Sequence, residues 1–164
     1  MTSPQVVVRA GRAADANLLR EIRCESLLES PFAYGARYAD VVVQPLSYWK
    51  SLLKRRHYFL AFSEEVVVGM LCIDAYEHSG QTFPGIFSMY VRPTHRGQPT
   101  ATQLISASKA YAREVGGTAL FLDVVVGNER AISFYRREGF MTRGPLRVME
   151  SDASRHMMTM VCDL

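Results

Sequence analysis

Apolar and polar positions alternate along this chain in two rhythms. Val6 to Arg9 is a short β-branched run that predicts a first strand. Leu18, Leu19, Ile22 and Cys24 to Leu27 form a broad apolar face at helical spacing, which predicts a helix from about Ala13 to Leu28. Ser30-Pro31 ends it, since the residue before proline avoids helical dihedrals, and Phe32-Ala33-Tyr34-Gly35 follows as a loop. Trp49, Leu52 and Leu53 predict a second helix from Pro45 or Leu46 to about Lys54, with the proline at its start.

The rhythm then shortens. His57 to Phe62 and Val66 to Tyr76 read as strands joined by the hairpin-sized Ser63-Glu64-Glu65. Thr82 to Val91 is a third strand, with an irregular start at Pro84-Gly85. A polar loop, Pro93 to Pro99, leads into a helix from about Thr100 to Val115 that Gly116-Gly117 stops. Thr118 to Val126 is almost wholly apolar, the mark of a strand covered on both faces. Asn128 to Glu138 predicts a last helix, and Phe140–Arg143 and about Met157–Cys162 are final strand candidates. This order predicts a mixed α/β fold: a central, mostly antiparallel sheet of about six to seven strands flanked by about four helices. No linker divides the chain, so residues 1–164 are expected to form one domain.

Composition narrows the function classes. The 19 Lys+Arg exceed the 16 Asp+Glu by 3 and form no block, which argues against a nucleic-acid partner. Cys24, Cys72 and Cys162 are scattered and lack CxxC spacing, which argues against a metal site or a disulfide framework and fits a reducing, cytoplasmic setting. Met1 to Ala10 lacks the apolar run of a secretory leader, and no stretch approaches the length needed to span a membrane.

Two segments carry chemistry. Met89 to Ala101 reads as strand, turn-rich loop and helix start, a junction that aims free N–H groups at an anion. Gly97 allows close approach of the main chain, Arg96 adds a fork of donors, and Thr100-Ala101-Thr102-Gln103 fits a capping box with Thr100 as the N-cap. The segment resembles motif A of the GNAT superfamily of N-acetyltransferases, V-x-P-x-x-R-G-x-G-x-G/A, at Val91, Pro93, Arg96, Gly97 and Ala101. It departs at Pro99, where the family has glycine; proline has no N–H to give. The second segment, Asn128 to Phe140, is similar to motif B of that family, N-x-x-A-I-x-F-Y-x-x-x-G-F, at every fixed position. Asn128, Ala131, Ile132 and Tyr135 share one helix face, and Asn128 suits an N-cap.

The resemblance implies a GNAT-like fold and transfer of acetyl from acetyl-CoA to a primary amine, with no metal. It implies that Gly97, Gln98, Thr100 and Ala101, with Arg96, hold the pyrophosphate. It places the backbone of Met89 and Val91, with Asn128, along the pantetheine arm, and makes Tyr135 the acid that protonates the leaving thiolate. The remaining alternative for Asn128 is a simple cap. Arg130 and Arg136 reach the phosphates or are merely exposed. Glu25, Glu77, His78 and Asp123 are candidate bases, alongside a water chain. Phe32, Tyr34 and Trp49 line the acceptor site or pack in the core. The acceptor that the resemblance implies is a small molecule, a peptide or a protein, and a homodimer is left open. The rival reading is a noncatalytic GNAT-like module whose coenzyme A binding Pro99 has weakened.

Overall fold

The computed structural model describes residues 5–164, so part of the Met1–Ala10 reading lies outside the described residues. Eight strands run as β1 (Val6–Ala10), β2 (His57–Ser63), β3 (Val66–His78), β4 (Gln81–Val91), β5 (Ala119–Val125), β6 (Met141–Thr142), β7 (Arg147–Met149) and β8 (Asp152–Asp163). Five helices join them: α1 (Ala16–Glu29), α2 (Tyr38–Val42), α3 (Leu46–Arg55), α4 (Thr100–Glu114) and α5 (Glu129–Arg137). The strands form one sheet in the order β1-β2-β3-β4-β5-β8-β6, with β7 also paired to β8. Every pairing is antiparallel except β4 with β5, which the α4 crossover makes parallel.

Alternation along the central strands sorts side chains onto two faces. Leu60, Met70, Cys72 and Tyr90 pack with Leu19, Ile22, Trp49 and Leu52 of α1 and α3. Leu71, Ile73, Leu120 and Leu122 pack on the other face with Leu104 and Ile105 of α4, Ile132 of α5 and Phe140. Val67 to Ile73 is buried without interruption, as a strand covered on both faces must be. Every described strand candidate of the sequence is present.

Three details differ from the sequence reading. The described residues form eight strands and five helices, because β7 is too short to show a period and α2 is too short to show an apolar stripe. Residues 13–15 are a 3-10 turn ahead of α1, where Asp15 accepts from the Arg12 N–H at 2.7 Å and from the Arg9 guanidinium at 2.8 and 2.9 Å. Thr100 is not the N-cap of α4. Pro99 holds that position, and its carbonyl accepts from Gln103 N–H at 2.8 Å. The Thr100 hydroxyl is buried and has no partner, so the capping box is not formed.

Candidate active site

The site begins with a break in the sheet. β4 and β5 pair only at Gly85–Phe121 and Ile86–Leu122, and then separate. A bulge in β4 starts the separation. Met70 pairs with Tyr90 and Cys72 with Phe87, so Ser88 and Met89 stand together opposite Leu71. Ser88 takes a left-handed φ of 52° to make room for the extra residue. Arg92 N–H donates to Val68 O of β3 at 2.9 Å. Backbone groups alternate along a strand, so those of Met89 and Val91 face the gap instead. Both carbonyls are met there by side chains: Tyr34 OH donates to Met89 O at 2.7 Å, and Arg96 Nε donates to Val91 O at 2.9 Å.

The gap opens into a cleft of about 480 Å³. Arg96, Gly97, Gln98 and Ala101 of the loop and helix start line it. Gly97 has φ +72°, and a β-carbon there would meet nothing within 4 Å. Among the described residues no N–H of Gly97, Gln98, Thr100 or Ala101 donates to a backbone acceptor, which leaves donors without a partner at a helix N-terminus. The loop carrying Phe32 and Tyr34 also lines the cleft, against Met89 of β4. Arg155 of β8 ties this loop down by donating to Phe32 O at 2.8 Å.

Helix α1 holds the phosphate-side loop from below through charge. Glu21 and Glu25 pair with Arg92, and Glu29 accepts from both Arg96 Nη atoms at 3.1 and 2.8 Å. The bond from Arg96 holds the Glu29 carboxyl below its ordinary range, and the same bond raises the Arg96 guanidinium. Glu21, Glu25 and Glu29 are four apart and so share one helix face, while Arg92 and Arg96 are four apart in the loop.

Tyr135 lines the cleft from α5, buried, with no hydrogen-bond partner for its OH among the described residues. Burial pushes its phenol well above the ordinary value, and Tyr34 pushes it the same way. Tyr34 itself is pushed up to about 12 by burial, against the pull of Arg23. Two phenols kept neutral by burial therefore line the same cleft. The pattern suits recognition of an anionic ligand with a thin, amide-bearing arm: donors at a helix start, a strand edge along the gap, and a buried proton donor.

The profile of the acetyltransferase (GNAT) family matches residues 19–140. The chain belongs to the GNAT acetyltransferase family. A curated relative, N-alpha-acetyltransferase 30 of Schizosaccharomyces pombe, is 34% identical over 83 residues, 50% of this chain and 55% of that protein. The match thus spans about half the length of that relative. Among solved structures, a GNAT acetyltransferase from Streptococcus pneumoniae superposes with TM-score 0.83 at 17% identity over 98% of this chain and 99% of that one. A putative acetyltransferase from Salmonella typhimurium, solved with its cofactor acetyl-CoA, gives 0.76 at 18% identity over 98% and 94%. At these identities the structures establish the GNAT fold alone.

The residues that the GNAT resemblance singled out gather in this cleft. Met89, Val91, Arg96, Gly97, Gln98, Ala101, Asn128 and Tyr135 line it; Thr100 does not, being buried beneath α4 with its hydroxyl turned inward. Arg96 is present but its fork is spent on Glu29, so its side chain is an anchor for the loop in this state. Asn128 caps α5 through a long 3.4 Å bond from Ala131 N–H and still lines the cleft. Arg130 lines the cleft from an exposed position, and Arg136 does not reach it.

The base candidates fare differently. Glu25 is held by Arg92 and Tyr90 OH. Glu77 accepts from Thr82 at the hairpin, and His78 stacks on Phe121; neither lines the cleft. Asp123 lines it but is bonded by Tyr76 OH at 2.7 Å, Thr159 Oγ1 at 2.8 Å and the Arg147 guanidinium. None of the four is a free carboxylate or imidazole at the bulge. Phe32 and Tyr34 line the cleft, whereas Trp49 is core. Sequence reasoning missed Arg23, which also lines it. The signal was a charged residue on the stripe Leu19, Ile22, Ser26, Leu27 that α1 turns inward. Among the described residues no group of three or more His, Cys, Asp or Glu is arranged to hold a metal, and no helix is long and apolar enough to cross a membrane.

Proposed function

We propose that residues 1–164 form one acetyl-CoA-dependent N-acyltransferase domain, with acetyl as the group transferred and a primary amine of a small molecule or peptide as acceptor. The observation that carries the reading is Tyr135: a buried phenol without a protein partner, lining the same cleft as the β4 bulge. The cleft fits the cosubstrate on its own features. Gly97 leaves room for a phosphate, and the free N–H groups around it supply donors. Acetyl-CoA, when bound, supplies an acyl group activated as a thioester.

The chain's own residues do the rest. The edge of β4 offers Met89 and Val91 N–H to an extended amide-bearing arm, as a neighbouring strand would. Gly97, Gln98, Thr100 and Ala101 hold the pyrophosphate by backbone donors at the positive end of α4. Tyr135 is kept protonated by burial, so it can donate to the sulfur as the amine displaces it and the C–S bond breaks. Tyr34 fixes the bulge by holding Met89 O. The proton from the attacking amine leaves through water, since each carboxylate near the cleft is already paired.

Isothermal titration with acetyl-CoA, followed by thiol release against an amine panel, tests the reading. Micromolar binding and amine-dependent thiol are expected. Binding without turnover for any amine would favour the rival reading, a noncatalytic module, for which Pro99 and the committed Arg96 are the supporting features. The absence of binding at millimolar acetyl-CoA would end the enzyme reading.

A further inference from the structure

Arg130 and Arg137 line the cleft from exposed positions, where water solvates them; of the other arginines around the cleft, every one but one has an acid opposite it among the described residues. Arg92 pairs with Glu21 and Glu25, Arg96 with Glu29, Arg147 with Asp123 and Arg56 with Asp74 at 2.8 Å. Arg23 has none. Among the described residues, no nitrogen of its guanidinium donates to a protein oxygen, and Nη1 is sealed from solvent without a partner. Its position makes this costly. It stands on the buried stripe of α1 between Leu19 and Ser26, which are 0% exposed. Its neighbours are the phenols of Tyr34, Tyr48 and Tyr58 and the Cys72 thiol, and no carboxylate is among them. Burial lowers its pKa, the direction expected of a cation that lacks a counter-charge.

A half-buried, unpaired guanidinium is tolerated where a ligand supplies the missing charge. Arg23 lies over the Tyr34 ring at 4.8 Å, and the OH of that ring reaches the carbonyl of Met89 at the bulge. The cation is therefore one ring's width from the place where the acyl group meets the amine. It is on a different element from the phosphate-side loop, whose anion donors are Gly97 to Ala101. The guanidinium fork matches a carboxylate in plane.

Resting on the acetyltransferase reading above, we propose that the acceptor is a small aminocarboxylate whose carboxylate pairs with Arg23 while its amine faces the β4 bulge. An α- or β-amino acid has the required shape: amine and carboxylate a few bonds apart. An amine without an acid leaves Arg23 half-buried and unpaired, and pays for it in affinity.

The test is a titration of the common L-amino acids and their carboxamides into the protein, with and without saturating coenzyme A, read by melting temperature and by calorimetry. Aminophosphonates and a short peptide with an acidic second residue are run alongside. At least one amino acid is expected to bind about tenfold or more tightly than its amide, from one charge-assisted bidentate contact. In Arg23→Gln that gap closes, in Arg23→Lys it narrows, and coenzyme A affinity stays as it was in both. Amides that bind as well as their acids, or no amino acid bound at 10 mM, would overturn the proposal. So would a gap that survives Arg23→Gln. Binding of the phosphonates or the peptide in place of the amino acids would also overturn it, as a different anion or a different acceptor. Loss of coenzyme A binding in the wild-type protein would instead strike the acetyltransferase reading, and the amino-acid arm without coenzyme A would still decide this one.

Discussion

Pro99 offers the sharpest test of the phosphate site because its two effects have opposite signs. It occupies the N-cap of α4 at φ −63° and ψ −5°, a conformation that alanine adopts without strain. Its carbonyl already accepts from Gln103, and that bond survives replacement. Pro99→Ala therefore adds one N–H to the four donors beside Gly97 and changes little else. A hydrogen bond to a charged group contributes about 1.5–3 kcal/mol, so acetyl-CoA should bind roughly 10- to 100-fold more tightly. The unfolded chain also gains freedom, which costs the unliganded protein about 0.4–1 kcal/mol. In a domain of this size that lowers the melting temperature by roughly 1–4 °C. The curves should cross: unliganded Pro99→Ala melts below wild type, and the variant saturated with acetyl-CoA melts above it, by a net of roughly 0.5–2.5 kcal/mol. Calorimetric titration and paired thermal melts read both effects. Unchanged affinity beside the expected drop in the unliganded melt would show that position 99 does not face the phosphates, and the account of the departure from motif A would be wrong.

Tyr135→Phe should lower turnover by about a hundredfold or more while leaving acetyl-CoA affinity in place, since only a proton donor is lost; equal turnover in steady-state assays would remove Tyr135 as the acid. Gly97→Ala should cost about 1–2 kcal/mol in chemical denaturation, because φ +72° is left-handed and no neighbour stands within 4 Å to add a clash. Its β-carbon should also weaken acetyl-CoA binding, and a variant equal to wild type in both measurements would refute the role given to that turn. Glu29→Gln should cost roughly 0.5–1 kcal/mol at neutral pH, the range for a partly exposed pair. The wild-type contribution should fade as pH falls below about 4.5 through the lowered carboxyl value, since protonation ends the pair with Arg96. Burial lowers the pKa of His57, whose ring stacks on Tyr111 at 3.8 Å. Below about pH 6.5 the unfolded chain takes up a proton that the folded state resists, so stability should fall with pH through that window. In His57→Phe this component should vanish from melts taken across it.

The elements were legible where a period could run its course. The α1 and α3 stripes, the β2–β3 hairpin and the apolar β5 each bury a face long enough to repeat, and each appears where the pattern puts it. The short α2 and β7 leave no such trace. The site was legible in part for a related reason. Gly97, Asn128 and Tyr135 act through what their own positions provide: a left-handed turn, a helix start, a phenol on an inward face. Thr100 was misread because a capping box is a local signal, and Pro99 took the cap by one residue. Arg96 was read as a free fork because its partner, Glu29, is 67 positions away. The fates of Asp123 and Glu25 have the same cause: each is disarmed by an arginine that only the folded sheet brings near.

That last point bears on how helix α1 serves the site. Its outer face spends Glu21, Glu25 and Glu29 on Arg92 and Arg96, so the loop after β4 is fixed from the acceptor side of the sheet. Its inner stripe carries Arg23 to the cleft beneath Tyr34. The acids could not do both tasks. If Glu25 or Glu29 turned to neutralise Arg23, the loop that frames Gly97 would lose its anchors; with both committed to the loop, Arg23 stays uncompensated. A helix that keeps three carboxylates on one face and leaves a half-buried guanidinium without a counter-charge on another separates, on the proposal above, loop anchoring from anion recognition. The charge missing at Arg23 is then to be sought in what enters the cleft.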